Sequence, residues 1–329
     1  MQHFTPDAVG VRRTDLGPLT PVRAPEAGGV AALPDDLHAA LFADDGEATF
    51  VVLDGAKVMF LPALLETTAA PCRELFRPRD GADVSAAAPV LARVTPKSRL
   101  LLTLCTDGPG DWHGWGKGAA LFLRSRADID AVAGHLRHFT WFADDAGTGH
   151  LFRFNDPAVF EPYSLEARAE CAAGLFGADD GGVSSYILQR GDGMWIRLDH
   201  PNMPETVHRR IDRDAVHRLA LNAAADRAYT ALEERGVLDA RALTEAQRRN
   251  IARHTVARFH PLGFRSTLHV RYLVAWALPL GPGFDGAAPG VAEVLEDRSR
   301  TPEDRFQAAS DRIRAPFGRK MGALFGRNG

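Results

Sequence analysis

The sequence predicts an α+β protein, in which an N-terminal lobe with a mixed β-sheet flanked by helices precedes an all-α C-terminal lobe. Strand-like runs of apolar and β-branched residues recur as far as residue 199, and only helical periodicity continues beyond it. The Pro-containing run His200–Pro204 interrupts both patterns. At 329 residues the chain is long enough for one large or two modest domains. We therefore predict three parts: an irregular arm over residues 1–33, an α+β lobe over 34–200 and a helical lobe over 201–329.

The first half of the N-terminal lobe is predicted from short apolar runs and from the positions of proline and glycine. Residues 1–33 are rich in Pro and Gly and show little periodicity, which predicts the irregular arm. Pro34 followed by two aspartates is typical of a first helical turn, where a fixed φ and negative charge are favourable. The predicted elements that follow are a strand at 49–54, a helix at 58–67 that contains Pro62, a loop at 68–88 with a turn at 73–76, and strands at 89–94 and 119–123.

The second half of this lobe contains a helix with a recognisable start. Ser125 and Asp128 have the spacing of a capping box, and apolar residues recur on one helical face as far as Phe139. A strand is predicted at Leu151–Phe154, and Pro157 is expected to end its ladder because proline has no N–H to donate. The remaining predicted elements are a helix at 165–175 closed by Gly177, and a hairpin with strands at 185–189 and 194–199.

The C-terminal lobe is predicted to consist of four or five helices. Thr244 and Gln247 form a capping-box pattern, and Thr301 followed by Pro302 is typical of a helix N-terminus. The segment 268–278 is apolar on nearly all sides, so we expect it to be buried. The predicted helices lie at about 212–235, 244–260, 266–278, 289–297 and 301–315.

The formal net charge of −3 conceals an uneven distribution of charge. Residues 1–200 carry 18 basic and 27 acidic side chains, whereas residues 201–329 carry 21 basic and 15 acidic ones. Two oppositely charged lobes can attract each other, or they can present different surfaces to one partner. A third interpretation is that these charged residues lie on solvated faces of helices.

Cysteine usage and hydropathy predict a soluble protein of the cytoplasm. The three cysteines are too few and too scattered for a disulfide framework or a metal knuckle, and an odd count suits a reducing compartment. The first 17 residues contain no apolar segment typical of a signal peptide. The longest strongly apolar stretch, 272–280, is less than half of the roughly 20 residues that a membrane span needs.

The Gly-rich stretch 108–118 invites comparison with a phosphate-binding loop, but two of its positions do not match the motif of such loops. Asp111 stands where the first glycine is required, and Gly118 stands where a Ser or Thr would bind magnesium. We interpret the stretch as a flexible loop. Trp112 and Trp115 within it are candidate anchors for a protein partner, although both side chains can equally fold back onto the sheet.

No arrangement typical of an enzyme is evident. There is no HExxH, no CxxC and no G-x-S-x-G elbow. Cofactors and metals are therefore not predicted. The alternative is a divergent metal-dependent enzyme whose site assembles from His113, His135, His150 and Asp156, four residues that are dispersed in the sequence.

Arginines cluster in the predicted helix 244–260. Arg248, Arg249, Arg253 and Arg258 can form a basic stripe, which leaves open a nucleic-acid-binding module. Single-strand binding also requires interleaved exposed aromatic side chains, and nearby glutamates dilute the positive field. We prefer a protein-binding role for Arg248, Arg249 and Arg253, and no nucleic-acid partner.

A set of short motifs between residues 34 and 177 resembles the type VI secretion effector chaperone (adaptor) family. In this sequence the motifs comprise Asp54 and Gly55, Leu75 and Phe76, Ser125, His135 to Arg137 with Leu136 between them, Arg153, Phe154, Asp156 and Pro157, and Leu175, Phe176 and Gly177. Each motif alone is weak, but together they occur in the order and spacing of that family.

The resemblance implies an adaptor, not an enzyme. It implies that the protein binds a cognate toxin effector in the bacterial cytoplasm and helps to load it onto a spike protein of the valine-glycine repeat type (VgrG). We expect the effector to bind in a cleft between the lobes. Arg153 can grip a carboxylate of the partner, or it can pair with Asp156 or satisfy loop carbonyls. The candidate contact residues are Trp112, Trp115, Arg153, Asp156, Arg248, Arg249 and Arg253.

Overall fold

The computed structural model shows two compact units, Met1–Val216 and His217–Gly329. The structure describes residues 10–23, 31–43, 46–58, 60–76, 88–110, 112–144, 147–177, 182–235, 243–286 and 289–322. The side chains of 315–322 are not part of that description. Among the described residues, no helix combines the length and the apolar character that crossing a bilayer requires.

A seven-stranded sheet forms the centre of the first unit, so the predicted α+β class is confirmed. Every pairing within this sheet is antiparallel, and the prediction of a mixed sheet is therefore wrong. In spatial order the strands are β1 (Arg12–Gly17), β11 (Trp195–Asp199), β10 (Ser185–Gln189), β7 (Ala120–Ser125), β3 (Ala48–Leu53), β5 (Val90–Val94) and β4 (Cys72–Glu74). Two small sheets pair β2 (Val22–Arg23) with β6 (Thr106–Asp107) and β8 (Trp141–Ala143) with β9 (Gly149–Leu151).

Both faces of the large sheet are covered, because its central strands are apolar at nearly every position. Val51 and Phe122 point to one face and pack in a core with residues of the first three helices. Successive side chains alternate between faces, so Phe50 and Leu121 point to the other face. There Tyr186 meets Phe160 and Phe176 at ring distances of 4.5 and 5.3 Å. The helices of this unit are α1 (Asp35–Phe42), α2 (Leu61–Thr68), α3 (Arg99–Leu104), α4 (Ile129–Arg137), α5 (Pro157–Glu166) and α6 (Ala169–Phe176).

The strand register gathers several loops at one end of the sheet. Leu53, the last residue of β3, pairs with Ala120, the first residue of β7. Gln189, the last residue of β10, pairs with Trp195, where β11 begins. The turn after β3, the Gly-rich loop before β7 and the hairpin turn after β10 therefore lie at the same end.

Two strands of the large sheet lie where the sequence predicts irregular structure. β1 belongs to the predicted arm, and β4 belongs to the predicted loop 68–88. Both are edge strands, and four of the six residues of β1 are exposed, so neither carries the apolar alternation by which strands are recognised. Main-chain hydrogen bonding to β11 and β5 holds these two strands in the sheet.

The segment around Arg153 also differs from the prediction. The strand ends at Leu151, and Pro157 does not terminate a ladder but opens helix α5. Asp156 is the N-cap of this helix and Pro157 occupies its first turn, a pair of positions that suits each residue. The start of α4 is also shifted, because Asp128 rather than Ser125 is its N-cap.

The second unit is helical, as predicted. The capping box of Thr244 and Gln247 is present, and Thr301 accepts a hydrogen bond from the Asp304 amide at 3.2 Å. The predicted burial of 268–278 is confirmed for most of its residues, with Trp276 only 2% exposed, although Leu268 is exposed. The helices are α7 (Arg213–Glu233), which begins at the end of the first unit, α8 (Glu245–Phe259), α9 (Thr267–Leu280), α10 (Val291–Glu296) and α11 (Pro302–Gly322).

Candidate partner-binding site

Asp54 directly follows strand β3 and organises the turn there. Its side chain is buried and accepts a hydrogen bond from the Ala56 amide at 3.0 Å. Its carbonyl accepts from the amides of Lys57 and Val58, both at 2.9 Å, and its own amide donates to the Ala119 carbonyl. A buried carboxylate at this position therefore fixes the turn, including Gly55, against the start of β7.

The guanidinium of Arg153 reaches across to this carboxylate. Arg153 Nη2 lies 2.5 Å from Asp54 Oδ2. The two side chains differ greatly in exposure, at 44% for Arg153 and 2% for Asp54. One edge of the guanidinium is thus held by the protein, while much of the side chain faces solvent.

A second ion pair lies beside the first in sequence. Lys57 Nζ is 3.0 Å from Asp156 Oδ2 and also donates to the Gly118 carbonyl at 3.1 Å. Asp156 in turn accepts from the Ala158 amide at 3.1 Å, which is its capping contact. Arg153 and Asp156 therefore bind Asp54 and Lys57, not each other. We call Asp54, Lys57, Arg153 and Asp156 the charge cluster.

A different group of motif residues is buried or, at Gly177, half-buried. We call Ser125, His135, Leu136, Leu175, Phe176 and Gly177 the buried motif group. His135 Nε2 donates to the Leu175 carbonyl at 2.8 Å, and Tyr186 donates to the same carbonyl at 2.6 Å. Burial is the largest effect on His135 and lowers its pKa to about 4, so the ring is neutral at pH 7. This arrangement ties α4 to the end of α6 and to β10.

Gly177 is required by that packing. Its φ of +70° is one that residues with side chains rarely adopt, and an added Cβ would lie 2.9 Å from the His135 ring. Ser125 makes a related contact nearby, since its hydroxyl donates to the Gly182 carbonyl at 2.6 Å and accepts from the Ala127 amide. The roles of these residues are to close and order the fold.

The motifs around β4 are structural as well. Leu75 is buried, and the ring of Phe76 lies 6.0 Å from that of Trp141. Arg137 Nη2 donates to the Glu74 carbonyl at 2.8 Å, so this motif arginine binds the main chain of the edge strand. Phe154 and Pro157 are buried too, so Arg153 is the motif residue that is exposed, whereas Asp156 is half-buried.

The two tryptophans of the Gly-rich loop differ in position. Trp115 is half-buried, with its ring 5.3 Å from that of Trp195, and packs against the core. Trp112 is 55% exposed and contacts the His113 ring at 5.7 Å. Asp111, which excludes a phosphate-loop pattern, lies outside the described residues. Of the two candidate anchors, Trp112 is the one whose side chain is accessible.

The arginines of α8 are occupied within the second unit. Arg253 forms a two-point contact with Asp226 at 3.2 and 2.7 Å, and Arg249 binds Glu245 at 2.8 Å. Arg248 donates to the Tyr229 hydroxyl at 3.0 Å and to the Leu243 carbonyl at 2.6 Å. These contacts join α8 to α7 and to the segment before α8, which reduces the charge available to a partner.

The four residues proposed for a divergent enzyme make separate contacts. His135 binds Leu175, whereas His150 lies 2.9 Å from the Asp144 carboxylate. His113 accepts from the Gly110 amide, and Asp156 binds Lys57. Within the described ranges, the one group of three metal-ligating side chains contains none of them.

Residues 49–170 match the model of a family described as a domain of unknown function (DUF4123). The match covers somewhat more than a third of the chain. It contains the whole charge cluster and ends before Leu175–Gly177. No curated protein and no solved structure matches the chain.

Proposed function

We propose that the protein is an effector chaperone of type VI secretion, which binds a cognate toxin in the cytoplasm, helps to load it onto a VgrG-type spike and catalyses no reaction itself. The observation that carries this proposal is the ordered set of motifs between residues 34 and 177. The family model that matches residues 49–170 is associated with adaptors of this kind, which supports the same function.

The charge cluster is the surface that we propose for effector recognition. Asp54 binds one side of the Arg153 guanidinium, so this long side chain is already oriented before a partner arrives. Ordering a flexible side chain costs roughly 0.5–1.5 kcal/mol in an association, and pre-orientation lowers that cost. Guanidinium groups bind carboxylates in a two-point geometry, so an acidic group on the effector is the matching feature.

Trp112 is the aromatic anchor in this proposal. Large exposed aromatic side chains are frequent hot spots of protein interfaces. The loop that carries Trp112 leads to Gly118, whose carbonyl binds Lys57 of the charge cluster. The proposed surface therefore combines an apolar anchor with an oriented cation, and it lies entirely on the first unit.

Co-expression tests the proposal directly. The chain would be produced with the toxin encoded beside its gene and with the neighbouring spike protein, and the complexes would be purified by a tag on this chain. We expect a stable complex with the toxin and, when all three are present, recovery of the spike protein. If neither the toxin nor the spike protein is recovered with this chain, from cells in which all three proteins are soluble, the proposal is contradicted.

A further inference from the structure

Glu170 and Cys171 in the first turn of α6 lie next to His208, which belongs to the irregular segment before α7. One ligand atom from each residue lies within 4.8 Å of those of the other two. We propose that these three side chains bind a zinc ion. This inference does not depend on the proposed function, because it concerns a different cluster and an independent ligand.

Main-chain contacts place the three side chains together. The His208 amide donates to the Glu170 carbonyl at 2.8 Å, so the irregular segment is joined to α6 at the residues concerned. Gly174, one turn further along α6, allows this approach, because an added Cβ would lie 2.1 Å from the His208 carbonyl oxygen. Ligands held by a rigid backbone need little reorganisation to bind a metal.

The segment is fixed on its other side by Asp212. This carboxylate accepts from the Arg168 amide at 2.8 Å and pairs with the Arg168 guanidinium at 3.3 Å. The Asp212 amide donates to the Tyr163 hydroxyl at 2.8 Å. His208 is therefore held between two anchored points, although no helix or strand contains it.

The chemistry of the three ligands favours zinc. A thiolate, an imidazole and a carboxylate are the ligand types that Zn²⁺ accepts, and three protein ligands leave one tetrahedral position for water. His208 Nδ1 is buried and has no hydrogen-bond partner among the described residues, although buried polar atoms generally have one. Bound zinc would give the imidazole a partner.

Access and local charge are compatible with an ion at this position. Cys171 is fully buried, but Glu170 and His208 are half-buried, so an ion can enter from their side. Arg210 lies near the thiol, and Asp212 pairs with a second nearby cation, Arg168. On binding, the Cys171 thiol releases its proton to solvent, and the thiolate binds the ion. The bound zinc ion would then join α6 to the irregular segment.

Titration of the full-length, chelator-treated chain with zinc chloride tests the proposal. We expect one zinc per chain and a higher Tm, because the ion binds the folded state. His208→Gln and Glu170→Gln, both at half-buried positions, should each weaken binding by at least about tenfold, since even changes to residues behind metal ligands cost 10–100-fold. Cobalt chloride should give a thiolate-to-metal absorption band that Cys171→Ser abolishes.

Two control variants separate this site from adventitious binding. Cys72→Ser and His150→Gln remove the same ligand types elsewhere, and each should bind one zinc with unchanged affinity. Absence of zinc binding by the wild-type chain contradicts the proposal. A zinc affinity of His208→Gln equal to that of the wild type also contradicts it. A third contradicting result is a cobalt spectrum without a thiolate band, from wild-type chain that circular dichroism shows to be folded.

Discussion

Three residues of the charge cluster, Asp54, Arg153 and Asp156, belong to the same set of motifs as the buried motif group, yet Arg153 and Asp156 lie in a different environment from that group. Arg153 is 44% exposed and Asp156 faces solvent in part, whereas His135 is 3% exposed and its bonded carbonyl lies in the core. In the buried group, His135 of α4 and Tyr186 of β10 both bind the Leu175 carbonyl at the end of α6. In the charge cluster, one side of each cation is held by the protein, and the other side faces solvent.

This difference shows that a family motif can combine residues with separate physical roles. Replacing a member of the buried group should affect the free energy of unfolding and the pH dependence of stability. Replacing Arg153 should affect binding with little cost in stability.

The largest effect that we predict is a loss of stability on acidification through His135. Its pKa is about 4 in the folded protein and 6.5 in the unfolded chain. Between these values the unfolded chain binds a proton that the folded protein does not bind, so the free energy of unfolding falls as the pH falls. The contribution amounts to about 3 kcal/mol from pH 7 to pH 4.

Urea unfolding at a series of pH values measures this dependence. His135→Gln should remove it while keeping an amide donor for the Leu175 carbonyl. His150→Gln, at an exposed histidine, should keep the wild-type dependence of the free energy of unfolding on pH. Identical slopes for His135→Gln and wild type would show that His135 is not the buried titrating group.

Gly177→Ala should lower the free energy of unfolding by about 2–3 kcal/mol. The new Cβ meets the His135 ring, and the backbone conformation at φ +70° disfavours a side chain. Gly134 provides a matched control, because it lies within α4 with no atom near an added Cβ. Gly134→Ala should raise the stability by up to about 1 kcal/mol. Chemical denaturation should show a lower free energy of unfolding for Gly177→Ala and a higher one for Gly134→Ala than for the wild type.

Asp54→Ala should cost about 2 kcal/mol, because a buried carboxylate that accepts from Ala56 and Arg153 is removed. Asp54→Asn keeps one acceptor for the turn and should cost about half as much. Thermal and urea unfolding of the two variants give the comparison. Equal losses would mean that the charge of Asp54, and not the turn contact, determines its contribution.

Arg153→Ala should change stability least, by less than about 1 kcal/mol, because the arginine is 44% exposed and Asp54 keeps its hydrogen bond from the Ala56 amide. The guanidinium that is removed is already half in solvent. Denaturation experiments at low and high salt measure the change. A loss as large as that of Asp54→Ala would place Arg153 with the structural residues and remove the distinction between the two groups.

Much of the fold could be predicted from the sequence where hydrophobic patterns are strong. Strands β3, β5 and β7 and helices α8 and α9 lie close to their predicted positions. Edge strands β1 and β4 could not be found in this way, because one is largely exposed and the other has three residues. The start of α5 carried a usable signal, since an Asp before a Pro is typical of an N-cap and first turn.

The site was predictable only in part. Arg153 and Asp156 were identified, but Lys57 was missed, because pairing between residues 57 and 156 depends on the tertiary fold. The arginines of α8 show the same limit. Their spacing does not reveal that Asp226 and Tyr229 of α7 bind them, so a basic stripe in the sequence becomes a helix-packing contact in the structure. Likewise, Glu170 and His208 are 38 residues apart and match no metal-binding spacing.

The affinity for the toxin effector should depend on the Arg153 guanidinium. Arg153→Gln removes the oriented cation, and Arg73→Gln removes an arginine that is similarly exposed, at 42%, and paired with Asp130 elsewhere on the same unit. Isothermal titration of the purified effector should show about tenfold weaker binding, or 1.4 kcal/mol, for Arg153→Gln and no change for Arg73→Gln. Equal affinities for the two variants would contradict recognition by the charge cluster.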